Sequence, residues 1–502
     1  MNIFLKMKVL GSIISLALPM VGFAQIVTAD TENAWYKAGQ AELKAKLARK
    51  PITNTAKNVI LFLADGNGVA AEYATRIFQG QQNGGYGDEN IMAKEAMPYL
   101  AMAKTYNVNA QTADSAGTAV AYLSGIKTKK GVLGVDASIR RGKCEDVAAA
   151  SIPSIGDLAA SMGKSVGVIS SARLTHATPA ALYANAADRG FANDSNLPDG
   201  CTVPDIAAQL LGDMQNGQID IALGGGRRNF IPKEFTDQEG KSGKRTDGRN
   251  MIKEAESAGT QYAWDDASFS SLKLDHSSPI LGLFASSHMM YEHDRTGEPS
   301  LDEMTQAAIK YLSNNTEGYF LLVEGGRVDH ALHAGNAFRA LVDGVVFDDA
   351  VRSALEMTDQ NDTLIVVTAD HSHAMQFNGY CGRGSPILGL CHKIDPNGEK
   401  YLDEVELAAD GKPYTAIGFL NGKGSILTEQ ADGTYFGTRP TVTQEIAMDP
   451  DYIQQAMLPR KSETHGPEDV AIYAEGPWAH LFDGTVEQNY IYHVMRHAFE
   501  AK

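Results

Sequence analysis

Positive charge is scarce in this 502-residue chain: 44 Lys and Arg stand against 61 Asp and Glu, a formal charge of −17. A nucleic-acid partner needs clustered Lys and Arg, so that class of ligand is excluded. Bound phosphate has to be held by local charge, from metal ions or a single arginine. Long apolar runs are scarce too. The run Val9–Val21 is too short and too early for a membrane span, and no later stretch approaches the ~18 residues one needs. Cysteine is limited to Cys144, Cys201, Cys381 and Cys391, with no C-x-x-C pair, which argues against cysteine-ligated metal. Tandem repeats and low-complexity tracts are missing. Gly224-Gly225-Gly226 lacks the spacing of a phosphate-cradling loop and reads as a turn.

What is present begins with residues 1–24, which read as a secretory signal: Lys6 and Lys8, the apolar run, then Gly22-Phe23-Ala24. Its removal takes two lysines and no acid, so the charge falls from −17 to about −19. The protein is expected to be periplasmic or secreted, without a membrane span. An even cysteine count fits that compartment, and the short spacing pairs Cys381 with Cys391, leaving Cys144 with Cys201.

Residues 25–50 include a helical stretch, Thr28–Lys50, rich in Ala, Lys and Glu. It cannot bury itself and is expected to lean on another surface, such as another subunit. Continuous apolar runs of strand length follow at Asn58–Leu63, Ser165–Ser170, Ile219–Leu223, Ile280–Phe284, Tyr319–Val323, Leu364–Thr368 and Asp469–Tyr473. Continuous rather than alternating runs indicate strands buried on both faces of a mostly parallel sheet. Helical patterns lie between them at Ile155–Met162, Ile206–Leu211, Leu301–Leu312 and Phe338–Met357. The alternation predicts an α/β layered fold with function at the carboxyl ends of the strands. Residues 378–461 break the rhythm with glycine, proline and charge, and read as an inserted small β subdomain. The main domain is then 51–377 with 462–502.

Chemistry-bearing residues follow the strands. Asp65 follows the first. Glu324, Arg327, Asp329, His330 and His333 follow another, and Asp370, His371 and His373 a third; His465 precedes the last. Asp329 and His333, four apart, share a face on a helical turn. Any one of these has a bland reading, as a cap or a buried, hydrogen-bonded histidine. Together, with glycine beside three of the sites, they suggest Zn²⁺ with an all-oxygen corner for Mg²⁺. Thr112-Ala113-Asp114-Ser115-Ala116 lies between a strand-like run (Lys104–Val108) and a helical run (Ala116–Leu123). It reads as a capped helix start, where a nucleophile would meet outward-pointing N–H groups. Arg189 is one of several candidate phosphate clamps, and a surface arginine paired with Asp188 is its bland reading.

These segments resemble the zinc-dependent alkaline phosphatases, in the animal and marine-bacterial branch. The resemblance is carried by Asn58–Gly66, Lys104–Val108, Thr112–Ala116, Glu324–His330, Val367–His373 and Glu463–Ala471, with His176-Ala177-Thr178 pointing to that branch. It implies a three-layer α/β/α sandwich around a large, mostly parallel sheet, with 378–461 as a crown-like insertion. It implies Ser115 as a phosphorylated nucleophile acting on small phosphate monoesters, and Arg189 as the phosphate clamp. One zinc would sit on Asp329, His333 and His465, and a second on Asp65, Asp370 and His371. A magnesium would sit on Asp65, Thr178 and Glu324. Asp114, His176, His330 and His373 would support these groups, and a homodimer is implied. Calcium is not expected, because Ala285 stands where the animal pattern has glutamate. A sulfatase would need a C/S-x-P-x-R context that Ser115 lacks, and sister diesterases usually use threonine. A metal- or phosphate-binding protein without catalysis is the remaining alternative.

Overall fold

A computed structural model of the chain describes residues 32–398 and 401–501. The expected signal segment and the first residues of the expected arm, 28–31, lie outside them. The described residues divide into two units after Pro51. The first contains helix α1, Ala34–Ala48, whose N-cap Asn33 accepts from the amides of Trp35 and Tyr36; none of its side chains is buried.

The second unit is built on a ten-stranded sheet. Its strands are β1 (Asn58–Ala64), β2 (Tyr99–Lys104), β3 (Ser165–Arg173), β4 (Ile221–Gly225), β5 (Gln261–Ala263), β6 (Ile280–Leu283), β7 (Tyr319–Gly325), β8 (Thr363–Thr368), β9 (Val470–Glu475) and β10 (Thr485–Glu487). Their order is β10-β2-β9-β8-β1-β7-β3-β4-β6-β5. All pairings are parallel except those of β9, which runs antiparallel to β2 and β8.

The continuous apolar runs have the cause expected of them. Every residue of β1, β7 and β8 is buried. Along β1, Val59, Leu61 and Leu63 enter one hydrophobic layer, while Ile60, Phe62 and Ala64 enter the other. The first layer includes residues of α3 (Ser115–Ser124), Ile155–Ser161 and Ile206–Gln215; the second those of Leu301–Leu312 and α5 (Ala337–Met357). The result is the three-layer α/β/α sandwich that the sequence predicts.

Four elements differ from expectation. The strand before Ser115 is β2, ending at Lys104, so Lys104–Val108 is largely loop. Burial alternates along β2, with Leu100 exposed, and a half-buried strand lacks the continuous apolar signal. Helix α2, Val69–Gln82, has Gly68 as its N-cap and no side-chain cap, and β5 and β10 are only three residues long.

Within 378–461 the elements are short. A three-stranded sheet joins Ile417–Gly422 and Ala456–Pro459 of this segment to Met375–Phe377 just before it, beside two hairpin pairs. Cys144–Cys201 and Cys381–Cys391 are both disulfides. Among the described residues no helix is long and apolar enough to cross a membrane.

Candidate active site

Ser115 is the first residue of α3. Asp114 caps the helix, its Oδ1 accepting from the Gly117 amide at 3.2 Å, and Gly125 ends it in the left-handed region. This arrangement leaves Ser115 buried at a helix N-terminus, where free amides favour negative charge. Its Oγ lies 3.4 Å from Asp65 Oδ1 and 3.2 Å from His371 Nε2.

Asp65 follows the end of β1, and Asp370-His371 follow β8, its parallel neighbour. The chain approaches closely here: Gly66 adopts φ 74°, and a Cβ on it would lie 2.5 Å from the His373 ring. Glu324 sits near the end of β7, and α4, Arg327–Ala334, follows at once with Asp329 and His333 on one side. His465 belongs to a two-residue bridge, His465–Gly466, paired with Ser372–His373. Because β9 alone is antiparallel, the residues before it reach the same end as the residues after β1, β7 and β8. That explains a histidine preceding its strand while the other ligand types follow theirs.

Three groups of ligating side chains result, with the donor atoms of each within 4.8 Å of one another: Asp329, His333, His373 and His465; Asp65, Asp370 and His371; and Asp65, His176 and Glu324. The imidazoles are oriented alike. His333 Nδ1 lies 2.6 Å from the Glu463 carbonyl, His465 Nδ1 2.8 Å from that of Ala113, and His371 Nδ1 3.2 Å from that of Ser372. Each Nδ1 proton is thereby committed to a backbone oxygen, and Nε2 is left as a lone pair for a metal. The Nε2 atoms of His333 and His465 are 3.0 Å apart, each 3.4 Å from Asp329 Oδ1. His371 Nε2 is 3.2 Å from Asp370 Oδ2 and 3.5 Å from Asp65 Oδ1.

His373 differs from these three. Its Nε2 contacts Asp329 Oδ1 at 2.8 Å and its Nδ1 contacts Glu463 at 2.5 Å, so neither nitrogen is free. Burial works against its charge, but Asp329 and Glu463 prevail and raise its pKa to about 9. His373 bridges Asp329 and Glu463 and fixes the position of Asp329.

The electrostatics of the bare protein call for cations. Burial, then Asp370, Asp329 and Glu324, push the Asp65 carboxyl well above its usual range. Burial raises Glu324 to about 7 despite Ser170, and raises Asp370. Burial also holds His371 and His176 well below their ordinary values. Asp65 Oδ2, Glu324 Oε1 and Thr178 Oγ1 are buried without a hydrogen-bond partner. Orphaned buried oxygens among mutually repelling carboxylates fit divalent cations, which would satisfy both. The all-oxygen set suits Mg²⁺ and the mixed sets suit Zn²⁺.

Arg189 has the partner expected for a clamp. Its Nη1 donates to Asp114 Oδ2 at 3.2 Å, and its Nη2 lies 3.1 Å from His176 Nε2. Asp188 pairs with Arg141 instead, at 2.7 Å, which removes the bland reading. His330 packs against His176 and His288, with Arg327 Nη1 3.1 Å from its Nδ1. Two contributors were not singled out in the sequence. Glu463 is buried and holds both His373 and the Ala374 amide, and Ser170 hydrogen-bonds Glu324. Glu463 stands two residues before His465, which is its only local signal.

The fold and the clustered donors define an α/β-sandwich protein with three groups of side chains that could hold metal ions. Residues 56–501 match the family model described as alkaline phosphatase. The tissue-nonspecific alkaline phosphatase of Rattus norvegicus is 40% identical over 482 residues, 92% of this chain and 88% of the relative. The alkaline phosphatase of Gadus morhua is 41% identical over 481 residues, covering 92% and 96%. The fold is shared with solved alkaline phosphatases from the Antarctic bacterium TAB5 (TM-score 0.58, 21% identity, 90% of this chain and 99% of that one) and Thermus thermophilus (0.61, 21%, 90% and 93%). The chain belongs to the alkaline phosphatase family, and it is an enzyme of that class.

Proposed function

We propose that the protein hydrolyses small phosphate monoesters through a covalent phosphoserine at Ser115. Asp329, His333 and His465 would hold one zinc, Asp65, Asp370 and His371 a second, and Asp65, Thr178 and Glu324 a magnesium. The observation that carries this reading is the position of Ser115: at a helix N-terminus, 3.4 Å from Asp65 and 3.2 Å from His371, beside both mixed donor sets. When bound, the ions supply Lewis-acid charge that lowers the pKa of the serine hydroxyl and of water and offsets charge on the leaving oxygen.

The chain's own groups do the rest. Ser115 Oγ attacks phosphorus, and the ester oxygen departs with its electron pair. Arg189, aimed by Asp114, takes two non-bridging oxygens in a fork. The free amides of α3 favour the anion. His373 and Glu463 keep Asp329 ionised and oriented. His176 and His330 pack behind Arg189. No separate histidine base is needed, since His371 is committed as a ligand. Ala285 offers no carboxylate, and calcium has no part in this reading.

Export to the periplasm or medium and a homodimeric state complete the proposal. Two disulfides and the acidic surface charge fit the first. Exposed Trp35, Leu43 and Leu47 on α1 fit the second. Quenching the enzyme in acid during turnover of a monoester tests the mechanism. A phosphoryl group on the peptide containing Ser115 is expected; its absence under conditions of active turnover would contradict the covalent step.

A further inference from the structure

Three imidazoles lie in a triangle behind Arg189. The ring centroids of His176 and His288 are 5.3 Å apart, those of His176 and His330 5.4 Å, and those of His288 and His330 4.1 Å. Each ring meets a different arginine. His176 Nε2 is 3.1 Å from Arg189 Nη2, His330 Nδ1 is 3.1 Å from Arg327 Nη1, and His288 Nε2 contacts Arg173 Nη1. A fourth arginine, Arg228, joins them. Its amide donates to the Ser286 carbonyl at 3.2 Å, two residues before His288, and its charge bears on both His288 and Arg173. His288, Arg173 and Arg228 have no part in the proposed catalysis.

Most arginines of this chain hold a carboxylate, as Arg76, Arg141, Arg245 and Arg339 do. Arg173, Arg228 and Arg327 hold none among the described residues. Acids that face Arg173 or Arg327 are engaged otherwise: Glu324 with Ser170, Glu298 with the Met290 amide and Asp343 with the Glu292 amide. The imidazoles do not replace them. A neutral imidazole accepts at one nitrogen only, yet Arg173 approaches both nitrogens of His288, with its amide 3.3 Å from Nδ1 and its Nη1 at Nε2. One of these N–H groups is left without an acceptor. On Arg327, Nε is buried without a hydrogen-bond partner, and Cζ lies 3.7 Å from the Tyr291 ring centroid. Burial, with Arg228 and Arg189, lowers Arg173 to about 10. Like charges gathered in a half-buried place, with donors to spare, call for an anion. All three arginines stay partly open to solvent, so a small one can enter.

We propose that Arg173, Arg228 and Arg327 form a second oxyanion site, which takes inorganic phosphate apart from the phosphate held at Ser115 and Arg189. Guanidinium groups present paired N–H donors that match the oxygens of a tetrahedral anion. The imidazole triangle stands between these arginines and Arg189, so two anions are bound without sharing a guanidinium. The site asks for no chemistry at Ser115, and its test is independent of the covalent mechanism.

Equilibrium dialysis of inorganic phosphate against the metal-loaded, full-length enzyme provides that test. Two phosphates per chain are expected in the unaltered enzyme. Arg228→Ala is expected to weaken one of them by about tenfold or more, while the other phosphate, and kcat/KM for p-nitrophenyl phosphate, stay within about threefold. Arg173→Gln, at the more buried arginine, is expected to weaken the same phosphate, with the melting temperature in phosphate-free buffer showing that the variant is folded. A single phosphate per chain in the unaltered enzyme would overturn the site. Two phosphates held equally tightly by both folded variants would overturn it as well. Loss of both phosphates together would make these arginines supports of Arg189 and would also overturn it.

Discussion

Asp114 joins the nucleophile's helix to the phosphate clamp: its Oδ1 accepts from the amides of Gly117 and Gly131, and its Oδ2 accepts from Arg189 Nη1. One carboxylate thus does two jobs that a substitution separates. Asp114→Asn keeps an oxygen for the cap but presents no charge to Arg189. Melting temperature is expected to change little, while kcat/KM falls roughly 10- to 100-fold, the worth of one charged hydrogen bond. A variant that loses stability and activity together would place Asp114 in folding alone.

His373 supports a similar separation. It touches Asp329 and Glu463 with both nitrogens, so its removal leaves the proposed ligands in place but frees Asp329 to turn. His373→Ala is expected to weaken the most labile ion by about 10- to 100-fold, read by competition with a chelator, with full loading restored by excess zinc. Permanent loss of one ion at saturating zinc would make His373 a ligand rather than its support.

Much of this was legible in the sequence because the site uses strand ends. Asp65, Asp329, His333, Asp370 and His371 all lie within eight positions of the end of a buried strand, and a parallel sheet gathers such ends at one edge. The places where the reading failed have the opposite character. Strand β2 is half-buried and carries an alternating signal too weak to place, so the strand before Ser115 was set several residues late. Glu463 and Ser170 act through contacts with His373 and Glu324 that no sequence spacing reveals. The antiparallel direction of β9, which brings His465 to the site, is a property of the assembled sheet alone.

The disulfides differ in the loop they close: 57 residues for Cys144–Cys201 and 10 for Cys381–Cys391. Chain entropy then assigns about 4 kcal/mol to the first and about 3 kcal/mol to the second. Cys144→Ala with Cys201→Ala should lower the urea midpoint more than Cys381→Ala with Cys391→Ala. The reverse order would show that native-state contacts near the crown outweigh loop closure.

Asp343 gives a pH dependence of stability away from the proposed ligands. Burial raises its carboxyl to about 8, against the pull of the Glu292 amide and Arg327. A raised carboxylate pKa means that the folded state keeps a proton the unfolded chain has released. Its contribution therefore declines as pH rises from about 4 to about 8, by up to about 1.4 kcal/mol per pH unit. Asp343→Asn removes this titration. The variant is expected to match the unaltered protein near pH 4 and to exceed it in melting temperature at pH 8. Parallel curves across that range would show that Asp343 is ionised in the folded protein.

The central claim is that Ser115 is the nucleophile and that the metal-binding side chains stand independently of it. The most direct measurement is p-nitrophenyl phosphate turnover and metal content, side by side, in Ser115→Ala. The account predicts a loss of activity by several orders of magnitude with zinc content unchanged. Turnover retained at near the unaltered rate, with the ions in place, would contradict it.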